Sequence, residues 1–462
     1  MDVKHDAASL YRFVDSVCSS CYRRGGYPAY LESNRCFIDY IYGLGDSTKR
    51  YLLSFPEKLA RMPASDYNVT RQELWNLRSS WFELHRRLKP ASDADTLHVP
   101  YPLIRALVSR LHQVPDFKTT RFVVIHTERL NYLQVTASSV ETAADNIAGV
   151  VGYRRFHKDL GMIGIPYSQS GSLFLNCLLA HEIGHYVFDK KQISTHLAPK
   201  LRAALIAAFA GQIVTGGLGP RIANALADWA EEMFCDLFAI QLVGPCFSYA
   251  FIEIFDLVND LDASGVLFPS AAAEDAKFSS SHPAELFRLK QHVSLLESLG
   301  WWGEIAASGN LYIRLLSLAK SVPDSDFKIP VAGLQMFETS ILAALHTLMR
   351  DVITEVKDVT VGLDDGVQEY QDLRGDLEEY FERGIVPSSI PVGGGGHKCP
   401  QPITILNVAY KFYLENLDDL IKGIKDGNPL SVKHRHEWTG KLEMWATKAI
   451  DDYLLLNKVR GV

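Results

Sequence analysis

The run His181-Glu182-Ile183-Gly184-His185 constrains this chain more than any other feature of it. It follows Leu173-Phe-Leu-Asn-Cys-Leu-Leu-Ala, an apolar stretch that reads as a helix and has no packing reason to end in His, Glu and His. A helix turns about 100° per residue, so positions 181 and 185 share one face, about a turn apart. Two imidazoles so placed can hold one Zn²⁺ together, and Glu182 sits beside them, close enough to meet water on the metal. A catalytic zinc takes three protein ligands, so the fold must bring a second element to this face.

Residues 228–240 are suited to be that element. Asp228, Glu232 and Asp236 fall on a single helical face, while Trp229, Met233, Phe234, Leu237, Phe238 and Ile240 cover much of the rest. A helix that is apolar nearly all round is a buried one. Carboxylates on a buried helix are costly unless they are paired or bind a metal. Each motif supplies what the other lacks.

Length and composition set the frame for these two helices. A chain of 462 residues exceeds one ordinary core, and two or three domains are expected. Hydrophobic residues at 47% and charged residues at 22% describe a globular protein. The net charge of −7, with no basic stripe, speaks against nucleic acid as a partner. The N-terminal MDVKHDAASLYRF has no apolar h-region. The longest apolar stretch, Ala203 to Leu218, is short of the ~20 residues that span a bilayer and reads as a buried core helix. Seven cysteines with no export signal read as reduced thiols, which makes the expected location cytoplasmic.

Along the chain, the first third is helical by spacing: Leu10, Phe13, Val14 and Val17, then Leu74, Leu77, Trp81 and Leu84, then Leu103, Leu107 and Leu111 after Pro100 and Pro102. Near residue 121 the period shortens. Phe122 to Thr127, Val150 to Phe156 and Met162 to Tyr167 read as short strands. Helices are expected at about 171–188, 197–214, 220–242 and 283–298, and after Trp302 at about 335–357, 366–383, 402–422 and 436–457. A Gly-rich loop, 387–402, interrupts the last group. The expected fold class is α+β, predominantly α. It has three parts: an N-terminal helical region 1–118, a domain 119–300 combining a small sheet with the two site helices, and a C-terminal helical region 301–462.

The two site motifs together resemble the signature of the gluzincin metallopeptidases, HExxH followed downstream by a Glu ligand with an Asp four residues on. The matching residues are His181, Glu182 and His185, then Glu232 and Asp236, and the resemblance spans roughly residues 120–300. Ser281-His282-Pro283 with Arg288 resembles, more thinly, the HP…R segment of the prenyl-protein endopeptidase group, many of whose members carry membrane spans that this chain lacks.

This resemblance implies a zincin-like catalytic domain and a zinc metallopeptidase acting on protein or peptide substrates. It makes His181 and His185 neutral imidazole ligands and Glu232 the carboxylate ligand. Glu182 would take a proton from zinc-bound water as that water attacks a peptide carbonyl, then pass it to the leaving amine. Asp236 would orient one ligand histidine, and His282 would supply a second donor to the oxyanion. Met162 to Tyr167 would be the sheet's edge strand and would bind an extended peptide by strand addition. Two rival expectations share these motifs: an interaction protein with a structural zinc, and a zinc hydrolase acting on a non-peptide amide.

Other features have plainer readings. Cys18-Ser-Ser-Cys21 lacks a second pair and reads as two cysteines on an amphipathic helix. Cys235 lies about 60° round the helix from Glu232 and reads as a packing thiol. His434 and His436 read as part of a solvated face. The loop Gly393-Gly-Gly-Gly-His-Lys-Cys-Pro lacks the Lys-Ser/Thr ending of a phosphate-binding loop and reads as a tether or lid. A sharper expectation is that Cys399 or His397 reaches the zinc and caps it in a latent state. The C-terminal region is a candidate surface for a protein partner.

Overall fold

The computed structural model describes residues 3–23, 31–63, 66–93, 101–127, 133–135, 138–155, 160–166, 171–210, 217–257, 269–392, 396–425 and 429–460. The chain divides into two compact units, residues 1–101 with 119–171, and residues 102–118 with 172–462. Secondary structure is mostly helical, with one small sheet and a separate hairpin.

The first unit contains helices α1 (Val3–Arg23), α2 (Leu31–Leu53), α3 (Phe55–Ala60), α4 (Tyr67–Asp93) and α6 (Ser138–Val151), and strands β1 (Arg121–Thr127), β2 (Leu133–Val135) and β3 (Leu160–Pro166). Leu10, Val14 and Val17 of α1 and Leu74, Leu77, Trp81 and Leu84 of α4 are buried as their spacing predicts, and they share one core with Val123 of β1, Ile147 of α6 and Met162 of β3. Trp81 Nε1 donates to Thr48 Oγ1 at 3.2 Å, so the largest side chain of this core is hydrogen-bonded as well as packed.

The sheet corrects two expectations. Its order is β1-β3-β2, with β3 parallel to β1 and antiparallel to β2. Met162–Pro166 therefore lies in the central strand, buried along its length, with Met162–Gly164 paired on both sides. Strand addition along Met162–Gly164 is ruled out because strands already lie on both sides of it. The run from Val150, expected to be a strand, is the end of α6. Gly152 takes φ +66° there, and the Tyr153 N–H closes back onto the Ala148 carbonyl at 2.9 Å, a glycine stop that the β-branched Val150-Val151 pair disguises. Tyr167 and Phe156 lie outside the described residues.

The second unit contains α5 (Tyr101–Leu111, from Pro102 on), α7 (Leu179–Lys190), α8 (Ile193–Ala208), α9 (Leu218–Val243), α10 (Pro245–Ile254), α11 (Pro269–Asp275), α12 (Glu285–Ser298), α13 (Trp301–Ile305), α14 (Leu311–Ser321), α15 (Glu338–Val359), α16 (Val367–Glu382), α17 (Pro402–Lys425) and α18 (Pro429–Arg460), with the hairpin β4 (Ile390–Val392) and β5 (Gly396–Lys398). Helix α9 is its axis. From Trp229 to Val243 nearly every residue is buried, and α7, α8, α10, α12, α15 and α17 all pack on it. The buried side chain of Asn407 on α17 joins α9 to α10, donating to the Val243 carbonyl and accepting from the Cys246 N–H, both within 2.9 Å. The units thus share the expected cut after residue 118, add cuts after 101 and 171, and have none at 300. The sheet groups with the N-terminal helices, and α7 and α9 group with the C-terminal ones.

The apolar stretch Ala203 to Leu218 is not one buried helix. Helix α8 ends at Ala208, buries only Ile193, Leu197 and Ala204, and leaves Ile206 exposed. No helix among the described residues is long and apolar enough to cross a membrane. The Gly-rich loop forms the β4–β5 hairpin, in which His397 pairs with Pro391 and shares a hydrogen bond with Ser389 at 3.3 Å; residues 393–395 lie outside the described residues. The side chains of Cys21, His434 and His436 also lie outside them. Cys18 is buried, close to Gly45.

Candidate metal centre

Helix α7 starts after a 3-10 turn, Leu175–Leu178, and presents His181 and His185 toward α9. The two helices touch at Gly184. A Cβ there would stand 2.8 Å from the Cys235 Cα, closer than real Cβ atoms come. This glycine permits the approach that places the α7 imidazoles over the α9 carboxylates. Gly184→Ala should therefore cost about 1–3 kcal/mol of stability in a denaturant titration, as overpacking of a close helix contact does. An unchanged midpoint would mean that the helices stand further apart.

The imidazoles meet at their Nε2 atoms, 3.1 Å apart. Each ring is tied at the other nitrogen: His181 Nδ1 to Asp236 Oδ1 at 2.8 Å, and His185 Nδ1 to Glu231 Oε1 at 2.9 Å. Ionised carboxylates only accept, so each Nδ1 carries a proton and each Nε2 is turned toward the other ring. Two lone pairs facing each other at this distance repel unless a cation or a proton lies between them. Glu232 completes the group. Its oxygens stand 3.6 Å from His181 Nε2 and 3.7 Å from His185 Nε2. Two ligands on a tetrahedral zinc, each ~2.0–2.1 Å from it, lie roughly 3.3 Å apart, so the donor set has the right size.

Asp236 is the buried anchor of the centre. It has no solvent exposure, and it takes Arg288 in a two-pronged contact, Nε to Oδ2 at 2.6 Å and Nη2 to Oδ1 at 2.7 Å. His292 Nε2 adds a third partner at 3.2 Å. Burial alone would raise this carboxyl, but the Arg288 charge and its hydrogen bonds hold it well below the usual carboxylate range. The opposite balance governs His292: burial dominates and lowers its pKa, which keeps the ring neutral against Phe247 and Phe251. For His185, burial disfavours the charged ring, yet the Glu231 hydrogen bond and the Glu182 and Glu232 charges push it up to about 9. Arg288 also reaches Glu232 Oε2 at 3.4 Å and lies over the Phe251 ring at 4.7 Å.

The remaining residues singled out from the sequence also fall at this site. Glu182 is buried on α7, and its charge acts on both His185 and Cys235. His282 is half exposed at the rim, with Nε2 3.8 Å from Glu232 Oε1. Its loop is held by Ser279, whose carbonyl accepts from Trp229 Nε1 and whose hydroxyl accepts from the His282 N–H. Asp228 is exposed. Cys235 stands nearer than a packing role suggests: its sulfur and the ligand nitrogens of His181 and His185 lie within 4.8 Å of one another, and these three could hold a metal ion. Among the described residues that cluster contains neither Cys399 nor His397.

Sequence reasoning missed Glu231 and His292 and gave Arg288 no role. The adjacent Glu231-Glu232 pair was the available signal for the first. For the others it was Arg288 and His292, four residues apart and so on one face of α12. Compared with known proteins, the chain matches no family model, no curated protein and no solved structure.

Proposed function

We propose that this centre binds zinc through His181, His185 and Glu232 and that the chain is a metallopeptidase of the gluzincin kind. The observation that carries the reading is the approach of the two Nε2 atoms to 3.1 Å, each ring fixed by its own carboxylate, with Glu232 alongside. When bound, zinc supplies Lewis acidity, polarising a carbonyl oxygen and acidifying water. The chain's own residues do the rest. Asp236 and Glu231 fix the tautomer and angle of the two imidazoles. Glu182, beside the ligand face but outside the ligand set, accepts the proton of the attacking water and returns it to the amine. His282, at the rim, donates to the oxygen on which charge develops.

Cys235 is the rival to Glu232 as third ligand. Its thiol is fully buried, and burial together with the charges of Glu232, Glu231, Asp236 and Glu182 pushes it well above its usual range. Metal binding needs the thiolate, which this environment opposes. Glu232→Gln should therefore empty the site of zinc, whereas Cys235→Ser should keep about one zinc per chain by elemental analysis. The reverse ranking would replace the gluzincin ligand set with His181, His185 and Cys235 and favour a structural metal.

A further inference from the structure

The face of α4 next to its buried stripe has no part in the metal centre. One residue on from Leu74, Leu77 and Trp81, about 100° round the helix, come Trp75, Arg78 and Phe82, with Arg71 one turn before Trp75. Trp75 is 67% exposed and Phe82 60%. With Leu10 and Phe13 of α1 they line an open cleft of about 1060 Å³. Arg71 and Arg78 lie among these aromatics, exposed, and neither enters an ion pair among the described residues. Asp6 is the acidic residue of the lining.

We propose that this cleft docks an acidic amphipathic helix of a partner protein. Trp75 and Phe82 stand two helical turns apart, about 10.5 Å along α4, which matches apolar anchors at i and i+7 of a helix laid in the groove. Exposed Trp, Phe and Arg are the residue types that dominate interface energies. The arginines, alternating with the aromatics along α4, select a partner whose remaining positions are Glu or Asp, through two-pronged guanidinium–carboxylate contacts. Interleaved Arg and aromatic side chains also suit single-stranded nucleic acid. Two cations on a chain of net charge −7 are too few to follow a phosphate backbone.

The test uses the full-length protein and labelled helical peptides of about 16 residues, read by fluorescence anisotropy. One peptide carries Leu and Phe anchors on a Glu background, the second the same anchors on Lys, and the third Glu with the anchors changed to Ala. An oligothymidine is the fourth probe. The anchored acidic peptide should bind best. Trp75→Ala/Phe82→Ala should weaken it by about tenfold or more, and Arg71→Glu/Arg78→Glu should reverse the preference toward the Lys peptide. All four are surface positions, and an unchanged melting temperature would confirm that each variant folds. Equal binding of the acidic and basic peptides, preference for oligothymidine, no peptide binding at all, or variants that bind like wild type would each overturn the proposal.

Discussion

Changing Glu182 to Gln should lower peptide hydrolysis by about 10²–10⁴-fold while zinc content and fold stay as in wild type, because that is the range that positioned general bases contribute. Glu182 is buried on α7 beside the ligand face, and its charge acts on His185, so it lies within the site without belonging to the donor set. The amide keeps the size of the side chain and removes the oxygen that accepts a proton. A digest of a broad peptide library, followed by mass spectrometry, measures the drop. Equal cleavage by the two proteins at equal zinc would remove Glu182 from the mechanism. Zinc without cleavage of any peptide would favour the structural reading, and turnover of a non-peptide amide alone would favour the other hydrolase. A variant that keeps its metal and loses turnover would also retain substrate, so the natural target can be sought with it.

The two helices of the centre were legible because burial leaves a strict signature. A stretch such as 229–240, apolar nearly all round, must be a core helix, and the carboxylates it carries must then have partners. Glu232 and Asp236 were found by that argument, and the structure sets both beside His181. What the argument could not reach was the identity of those partners. Arg288 and His292 lie over fifty residues from Asp236 in sequence and approach it only through the packing of α12 on α9. Glu231 carried no assignment beside Glu232, and only the orientation of the His185 ring gives it work.

The sheet was harder to read. Three apolar runs near residues 121–167 suggested strands, and two are. Periodicity cannot separate a short strand from the last turn of a helix, and Val150-Val151 is such a turn, closed by Gly152. Nor does a run of apolar residues say whether a strand is central or at an edge. That β3 has a strand on each side is a property of the assembled sheet. Trp75 and Phe82 pose the opposite case, aromatic residues off the buried stripe of α4 and exposed in the fold.

Asp236→Asn should be the most destabilising single change at the centre, at about 3–5 kcal/mol, because it leaves the buried Arg288 guanidinium without its two-pronged partner. Glu232, 3.4 Å from Arg288, is the remaining acid in contact with it and compensates only in part. Removing both members, as in Asp236→Asn/Arg288→Met, should recover part of the loss, since the cost lies mainly in the orphaned charge. The same carboxylate links stability to pH. Its pKa is depressed in the folded protein, so its contribution is fully present above the unfolded value of ~3.9 and is lost as the pH falls through the folded one. Melting of metal-free wild type should therefore weaken steeply below about pH 4, and the Asn variant should show a shallower fall. Zinc affinity should drop by about 10–100-fold in the variant, as expected when a ligand imidazole loses the group that orients it. Three outcomes would separate Asp236 from these roles: stability within 1 kcal/mol of wild type, approximately the scatter of surface substitutions; an unaltered acid limb; or undiminished zinc affinity.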